Sequence, residues 1–275
     1  MIVVTGATGN VGRHLVRELA EAGAEVCALT RDPQRARVPD GVRVARADQA
    51  PLAAATAVFV HLAALSGDAL TAFLADAVRQ GVRRAVTLSS SSVLDALDGR
   101  TNPIAARHAE LEQAVEKSGL EWTHVRPGAF DTNALQWAGQ IRATGVVRGA
   151  YARAAFAPVH EADIAAVAAR ALLGDELVGA TPELTGPEPL TFADQARVIG
   201  EAVGRPVRYE EVPPEEARKA MVGGFLTEDI ADSLLRIYAK LVDSPAAVSP
   251  EVERITGRPA RTFAQWAQEN AAAFR

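Results

Sequence analysis

The chain has 275 residues, 48% of them apolar but only 5% aromatic, and a formal net charge of −5. That length buries a large core in one α/β domain or a domain with an appended lobe, while the acidic balance without a lysine run argues against nucleic acid, whose phosphates need a basic face. No stretch reaches the roughly 20 uncharged apolar residues of a bilayer span, Cys27 has no partner for a disulfide, and Met1 leads straight into Ile2-Val3-Val4 with no signal peptide in front of it, so no membrane partner is expected and the cytoplasm is the expected location.

From the first residues onward, short β-branched or apolar runs alternate with longer runs of helical spacing. Residues 2–5, 25–29, 42–45, 57–62, 85–88 and 122–125 read as strands; residues 10–22, 67–80 and 104–118 read as helices, two of them stopping at Gly23 and Gly81. Strands that are apolar throughout suit a parallel sheet covered on both faces. The predicted class is therefore α/β, a doubly wound parallel sheet of the Rossmann type with right-handed crossovers.

The first strand-to-helix turn, Gly6-Ala7-Thr8-Gly9-Asn10-Val11-Gly12, is the most informative segment, because a glycine pattern gains meaning where a strand runs directly into a helix. Gly6 allows the tight turn, Gly9 lets backbone approach a pyrophosphate without a Cβ in the way, and Gly12 permits close packing of helix on strand. A helix starting near Asn10 presents unpaired N–H groups and the positive end of its dipole, so Thr8, Asn10 and Val11 belong to the same anion cradle. The second strand ends Thr30-Arg31-Asp32. A guanidinium at that corner pairs with a 2′-phosphate, which favours NADP(H), with Arg13 and Arg35 adding to the field, while Asp32 keeps NAD(H) open.

Beyond residue 150 the regularity fades, and prolines separate helical pieces at residues 161–173, 191–203, 214–222, 228–242 and 262–272. Residues 1–150 are read as the nucleotide-binding domain, with 159–185 returning to it, and residues 186–275 as a smaller, mostly helical lobe that covers the substrate.

The spacing of the first glycines resembles the short-chain dehydrogenase/reductase superfamily. A narrower likeness is carried by Ser118-Gly119-Leu120, Thr123-His124-Val125-Arg126-Pro127-Gly128-Ala129-Phe130 with Asn133, Val159-His160-Glu161-Ala162-Asp163-Ile164-Ala165, Leu184-Thr185-Gly186-Pro187-Glu188 and Thr256-Gly257-Arg258-Pro259. Together they resemble the NmrA-like group of atypical short-chain reductases, which includes nitrogen-repression regulators and NADPH-dependent quinone oxidoreductases; the quinone-reductase branch matches better. The resemblance implies that Asp48 and Gln49 border the adenine and that Ala63, Ala64 and Leu65 run beside the ribose and pyrophosphate.

Most short-chain reductases use Tyr-x-x-x-Lys on one helical turn, where the ammonium lowers the phenol pKa. Tyr151, Tyr209 and Tyr238 are followed four residues on by Ala155, Pro213 and Val242, so this chain has no such pair. Where the motif falls stand Ile104 and His108. His108 is the candidate to bond the nicotinamide ribose or pass a proton near neutral pH. Ser89 to Ser92 follow the fifth strand at its ligand-binding end, with Ser90 the candidate catalytic hydroxyl and Ser89 facing the cofactor. Pro127, Gly128 and Ala129 are expected to offer backbone groups to the carboxamide, and Phe130, Trp137, Tyr151 and Phe156 to cover the substrate. His160 and Asp163 read as anchors of the helix that follows them. No metal is expected, and a homodimer is left open. The implied activity is NADPH-dependent hydride transfer to an electrophilic small molecule such as a quinone or enone. The alternative is a non-enzymatic NADP(H) sensor that signals redox state to a protein partner.

Overall fold

The computed structural model describes residues 1–94, 103–223 and 226–275. Its centre is a parallel sheet of seven strands: β1 (Ile2–Val4), β2 (Val26–Leu29), β3 (Arg43–Ala45), β4 (Ala57–His61), β5 (Arg84–Leu88), β6 (Glu121–Pro127) and β9 (Glu183–Leu184), in the order β3-β2-β1-β4-β5-β6-β9. Each predicted strand is present to within two residues. The strand at Glu183–Leu184 was not expected; it is two residues long and too short to carry a periodic signal.

Alternation along the strands divides the core. Ile2, Val4, Ala57 and Phe59 point to one face, beneath α1 (Gly12–Glu21) and α5 (Glu161–Leu173), while Val3, Val58 and Val60 point to the other, beneath α2 (Gly67–Arg79) and α3 (Pro103–Ser118). α5 is buried at all positions except Arg170 and Leu173. Its alanines follow from that: α1 packs closely along it and α9 (Glu251–Thr256) lies on it as well, leaving little room for larger side chains.

Among the described residues the other α-helices are α4 (Ala138–Thr144), α6 (Phe192–Val203), α7 (Pro214–Met221), α8 (Glu228–Asp243) and α10 (Phe263–Glu269), accompanied by short 3-10 turns and four short strands. β7 (Val146–Gly149) pairs in parallel with β11 (Arg208–Glu211), and β8 (Ala155–Phe156) pairs antiparallel with β10 (Leu190–Thr191). Residues 186–275 are mostly helical, as expected, and β10 and β11 are set among those helices while β7 and β8 precede them. The four strands share an aromatic core in which Phe192 contacts Trp137, Phe156, Tyr209 and Tyr238 at ring-centroid distances of 5.7, 5.2, 5.7 and 5.0 Å. α8 packs against α3, which brings this second core to the carboxyl edge of the sheet. Among the described residues no helix is long and apolar enough to cross a membrane.

Candidate functional site

In an open α/β sheet the ligand crevice opens where the strand order reverses, here between β1 and β4. The turn after β1 is fixed there by Thr5 N–H bonding to the Phe59 carbonyl at 3.0 Å and Ala7 N–H to that of Leu29 at 3.3 Å. Gly6 has φ +61, in the left-handed region. A Cβ on Gly12 would lie 2.1 Å from the Gly6 carbonyl oxygen and 2.8 Å from Ala7 Cα, so this glycine clears the turn's own backbone rather than a neighbouring strand. Backbone bonds use the N–H groups of Ala7, toward Leu29, and of Gly9 and Arg13, within the turn; those of Thr8, Asn10, Val11 and Gly12 take no part in them. Thr8, Gly9 and Asn10 are exposed, and α1 begins at Gly12, two residues later than expected. Unpaired N–H groups at a helix start, those of Thr8 and Asn10 on exposed residues, fit the diphosphate of a dinucleotide.

On the β2 side of this turn stand Arg31, Asp48 and Gln49, all exposed. Arg46, which the sequence reading passed over, joins them: its Nη1 donates to the Arg31 carbonyl at 3.1 Å and its Nε to Asp48 at 3.4 Å. The Arg46 guanidinium thus lies beside the Arg31 backbone, at the corner where a 2′-phosphate is expected.

On the β4 side, Ala63 and Ala64 are exposed, but Leu65 is 7% exposed and packs in the core beneath α2. Leu65 is therefore structural, because the turn after β4 directs its apolar side chain inward. His61, the last residue of β4, was not anticipated; its Nδ1 stands 3.1 Å from the place a Cβ would take on Gly6. His108 on α3 lies close enough for the two rings to influence each other. Burial, opposed by Glu112 and reinforced by His61, lowers the His108 pKa to about 4, and burial lowers that of His61 as well. Burial thus leaves the His108 imidazole neutral at physiological pH, a hydrogen-bonding group rather than a cation.

Ser89 is a correction. Its hydroxyl is buried and donates to Glu112 Oε1 at 2.5 Å, turned away from the crevice. Glu112, one helical turn after His108, also accepts Arg126 Nε at 2.9 Å and Nη2 at 2.7 Å. Burial pushes the Glu112 carboxyl up, but those bonds more than offset it and hold it below the usual glutamate range. Ser90 stays half-buried at the strand end and accepts the Ser92 hydroxyl at 2.9 Å.

After β6, the Gly128 N–H is taken by the Leu184 carbonyl at 2.9 Å, the Pro127 carbonyl by Ser91 N–H at 3.0 Å and the Ala129 carbonyl by Val159 N–H at 2.8 Å. This leaves the Gly128 carbonyl and Ala129 N–H, fewer groups than expected, because β9, the segment after β5 and the approach to α5 use the rest.

Three of the four aromatic residues, Trp137, Tyr151 and Phe156, pack in or against one aromatic core, and Phe130 stands apart from them. Phe130 packs against the core under α1 and α5. Trp137 is 7% exposed and belongs to the aromatic core with Phe156, whereas Tyr151 is half-buried between that core and the one around Leu235. Tyr151 has φ 57, the one described non-glycine residue with positive φ.

Next to Phe130, Asp131 is fully buried and neither carboxylate oxygen has a partner. Burial, with Glu161, Asp163 and Glu269 adding negative charge, pushes its pKa up to about 9. His14 of α1 stands edge-on to His160, ring centroids 6.1 Å apart, and its pKa is lowered to about 4 by burial, then by Arg13, His160 and Arg17. The two expected anchors are visible here: His160 Nδ1 accepts Ala162 N–H at 3.0 Å and caps α5, and Asp163 accepts Arg261 N–H at 2.7 Å and pairs with its guanidinium.

Residues 6–175 match the family model described as NAD(P)H-binding. The chain belongs to that NAD(P)H-binding family. Across all of its length it is 40% identical over 283 residues to the (4-alkanoyl-5-oxo-2,5-dihydrofuran-3-yl)methyl phosphate reductase of Streptomyces griseus, covering 99% of that protein. It is 36% identical over 287 residues to the NAD(P)H azoreductase of Xenophilus azovorans, again covering all of this chain and 99% of the other. In fold it is similar to an NADPH-dependent quinone oxidoreductase of Escherichia coli, with a TM-score of 0.79 at 24% identity over 98% of this chain and 99% of that one; the same protein complexed with NADPH gives 0.77 at 23%, over the same shares. The resemblance to atypical short-chain reductases holds, and the chain is an NAD(P)H-dependent oxidoreductase.

Proposed function

We propose that this NADPH-dependent reductase acts on conjugated, electron-poor small molecules, quinones or enones, whose reduced anions are stable enough to form before they are protonated. The observation that carries this reading is the neutral His108 in the place of the missing Tyr-x-x-x-Lys pair. A neutral imidazole N–H is a far weaker acid than a phenol held beside an ammonium, so a simple ketone or aldehyde, whose alkoxide must be protonated as it forms, is a poorer substrate here. An acceptor that spreads the incoming charge over conjugated oxygen needs only proximity, and water supplies its proton afterwards. When bound, the reduced nicotinamide supplies the hydride.

This chain's residues divide the remaining work. The N–H groups of Thr8, Asn10, Val11 and Gly12 hold the diphosphate, Arg31 and Arg46 hold the 2′-phosphate, and the Ala129 N–H with the Gly128 carbonyl orients the carboxamide. His108 offers a hydrogen bond, and the Ser90–Ser92 hydroxyl pair passes a proton in from solvent. The two relatives found over the whole length support a conjugated acceptor: one name describes an azo bond, the other a ring C=C flanked by carbonyl groups.

The test is to mix the protein with NADPH and a panel of quinones, enones and simple aldehydes and follow the dihydronicotinamide absorbance. Oxidation faster than the uncatalysed rate with the conjugated acceptors alone is expected; equal turnover of aldehydes sinks the reading, and tight NADPH binding without turnover of any acceptor favours a redox sensor. Arg31→Ala should raise the KM for NADPH about ten- to a hundredfold and leave that for NADH unchanged. His108→Ala should slow turnover about tenfold without altering the pH profile between pH 5.5 and 8, because the ring does not titrate in that range.

A further inference from the structure

His61 closes β4 opposite Leu88 of β5, and its backbone is fixed from both sides. Its N–H bonds to Thr5 Oγ1 at 3.0 Å, and its carbonyl accepts the N–H groups of Ala64 at 2.9 Å and Leu65 at 3.1 Å. That leaves the imidazole held above the phosphate turn, against Gly6, where any side chain larger than hydrogen would crowd Nδ1. His108 faces it from α3. The His108 Nδ1 is closed off from solvent and has no hydrogen-bond partner. A buried orphan N–H is rarer than a buried orphan acceptor, so the proton belongs on Nε2, and the ring offers one donor.

The order of the strands decides what these two rings meet. The arginine corner lies beyond β2 on one side of the phosphate turn, and β4 with His61 lies on the other. With the diphosphate on the turn and the phosphorylated adenosine on the β2 side, the second nucleoside falls on the β4 side.

We propose that His61 is a cofactor-positioning residue that, together with His108, holds the hydroxyl groups of the ribose attached to the nicotinamide. Two adjacent hydroxyls each donate and accept, and two uncharged imidazoles match them without drawing the diphosphate off its N–H groups, as a cation would. The inference rests on the reading of the β1–α1 turn as a diphosphate cradle.

The experiment compares His61→Ala and His61→Gln with the unaltered protein by fluorescence or calorimetric titration against three ligands: NADPH, 2′-phospho-ADP-ribose, which keeps the distal ribose, and adenosine 2′,5′-bisphosphate, which lacks it. His61→Ala is expected to weaken the first two about five- to tenfold and leave the bisphosphate unchanged, with His61→Gln recovering most of the loss. Equal weakening of all three ligands overturns the proposal, since His61 would then only brace the turn, and so does no weakening of any. Should His61→Ala fail to fold, His61→Gln against His61→Asn carries the same comparison. Failure of the unaltered protein to bind NADPH sinks the cradle itself, and is told apart because it appears before any substitution.

Discussion

Glu112 and Asp131 are carboxylic acids buried near the same carboxyl edge of the sheet, 4% and 0% exposed, and the protein keeps them in opposite protonation states. Glu112 meets the two-pronged guanidinium of Arg126 and the hydroxyl of Ser89, which repay the loss of water and hold the charge. Asp131 meets no donor and lies among Glu161, Asp163 and Glu269, so the proton itself neutralises it. Burial alone does not fix the charge of a carboxyl; the neighbours decide it.

Removing Arg126 breaks this contrast most severely. Arg126→Met leaves Glu112 buried with one hydroxyl donor, and denaturant unfolding at neutral pH should show a loss of about 3 to 5 kcal/mol; a loss below about 1 kcal/mol would mean the pair contributes little beyond packing. Asp131→Asn tests the other side. The folded pKa of Asp131, about 9, lies above its unfolded value near 3.8. The folded state therefore binds more protons between those values, and stability falls as pH rises through that window. Asparagine has no proton to lose, so the variant should gain on the native protein by up to about 1.4 kcal/mol per pH unit between pH 5 and 9. A difference that stays flat across unfolding curves at pH 5, 7 and 9 shows that Asp131 is ionised in the folded state. Ser89→Ala is the mildest change. It should cost about 1 to 2 kcal/mol of stability while the NADPH dissociation constant stays at its original value, since the hydroxyl faces Glu112 and not the crevice.

Ser89 also illustrates where reading a sequence stops. That a hydroxyl-rich segment follows β5 at the ligand-binding end is visible in the chain, but which hydroxyl turns inward depends on Glu112, twenty-three residues away on another element. Leu65 and Trp137 failed as site residues for a related reason: apolar groups near a crevice are claimed first by the nearest core. His61 falls inside the strand read over residues 57–62, but its register with Leu88 and its place against Gly6 appear only in the folded sheet. Arg46 likewise follows the third strand directly, yet its place beside Arg31 appears only once β2 and β3 pair.

What the sequence determined by itself was everything that depends on neighbours in the chain: short apolar strands, helical spacing, the glycine turn between β1 and α1, and the lack of a tyrosine with lysine four residues on. Backbone geometry and local periodicity act over a few residues, so they are written locally. What only the tertiary structure decided were charge states and facing directions: a neutral His108, a protonated Asp131, an ionised Glu112, and a β9 strand that exists because β6 offers it an edge. Those depend on desolvation and on partners brought together from distant positions, and no short stretch of chain encodes either.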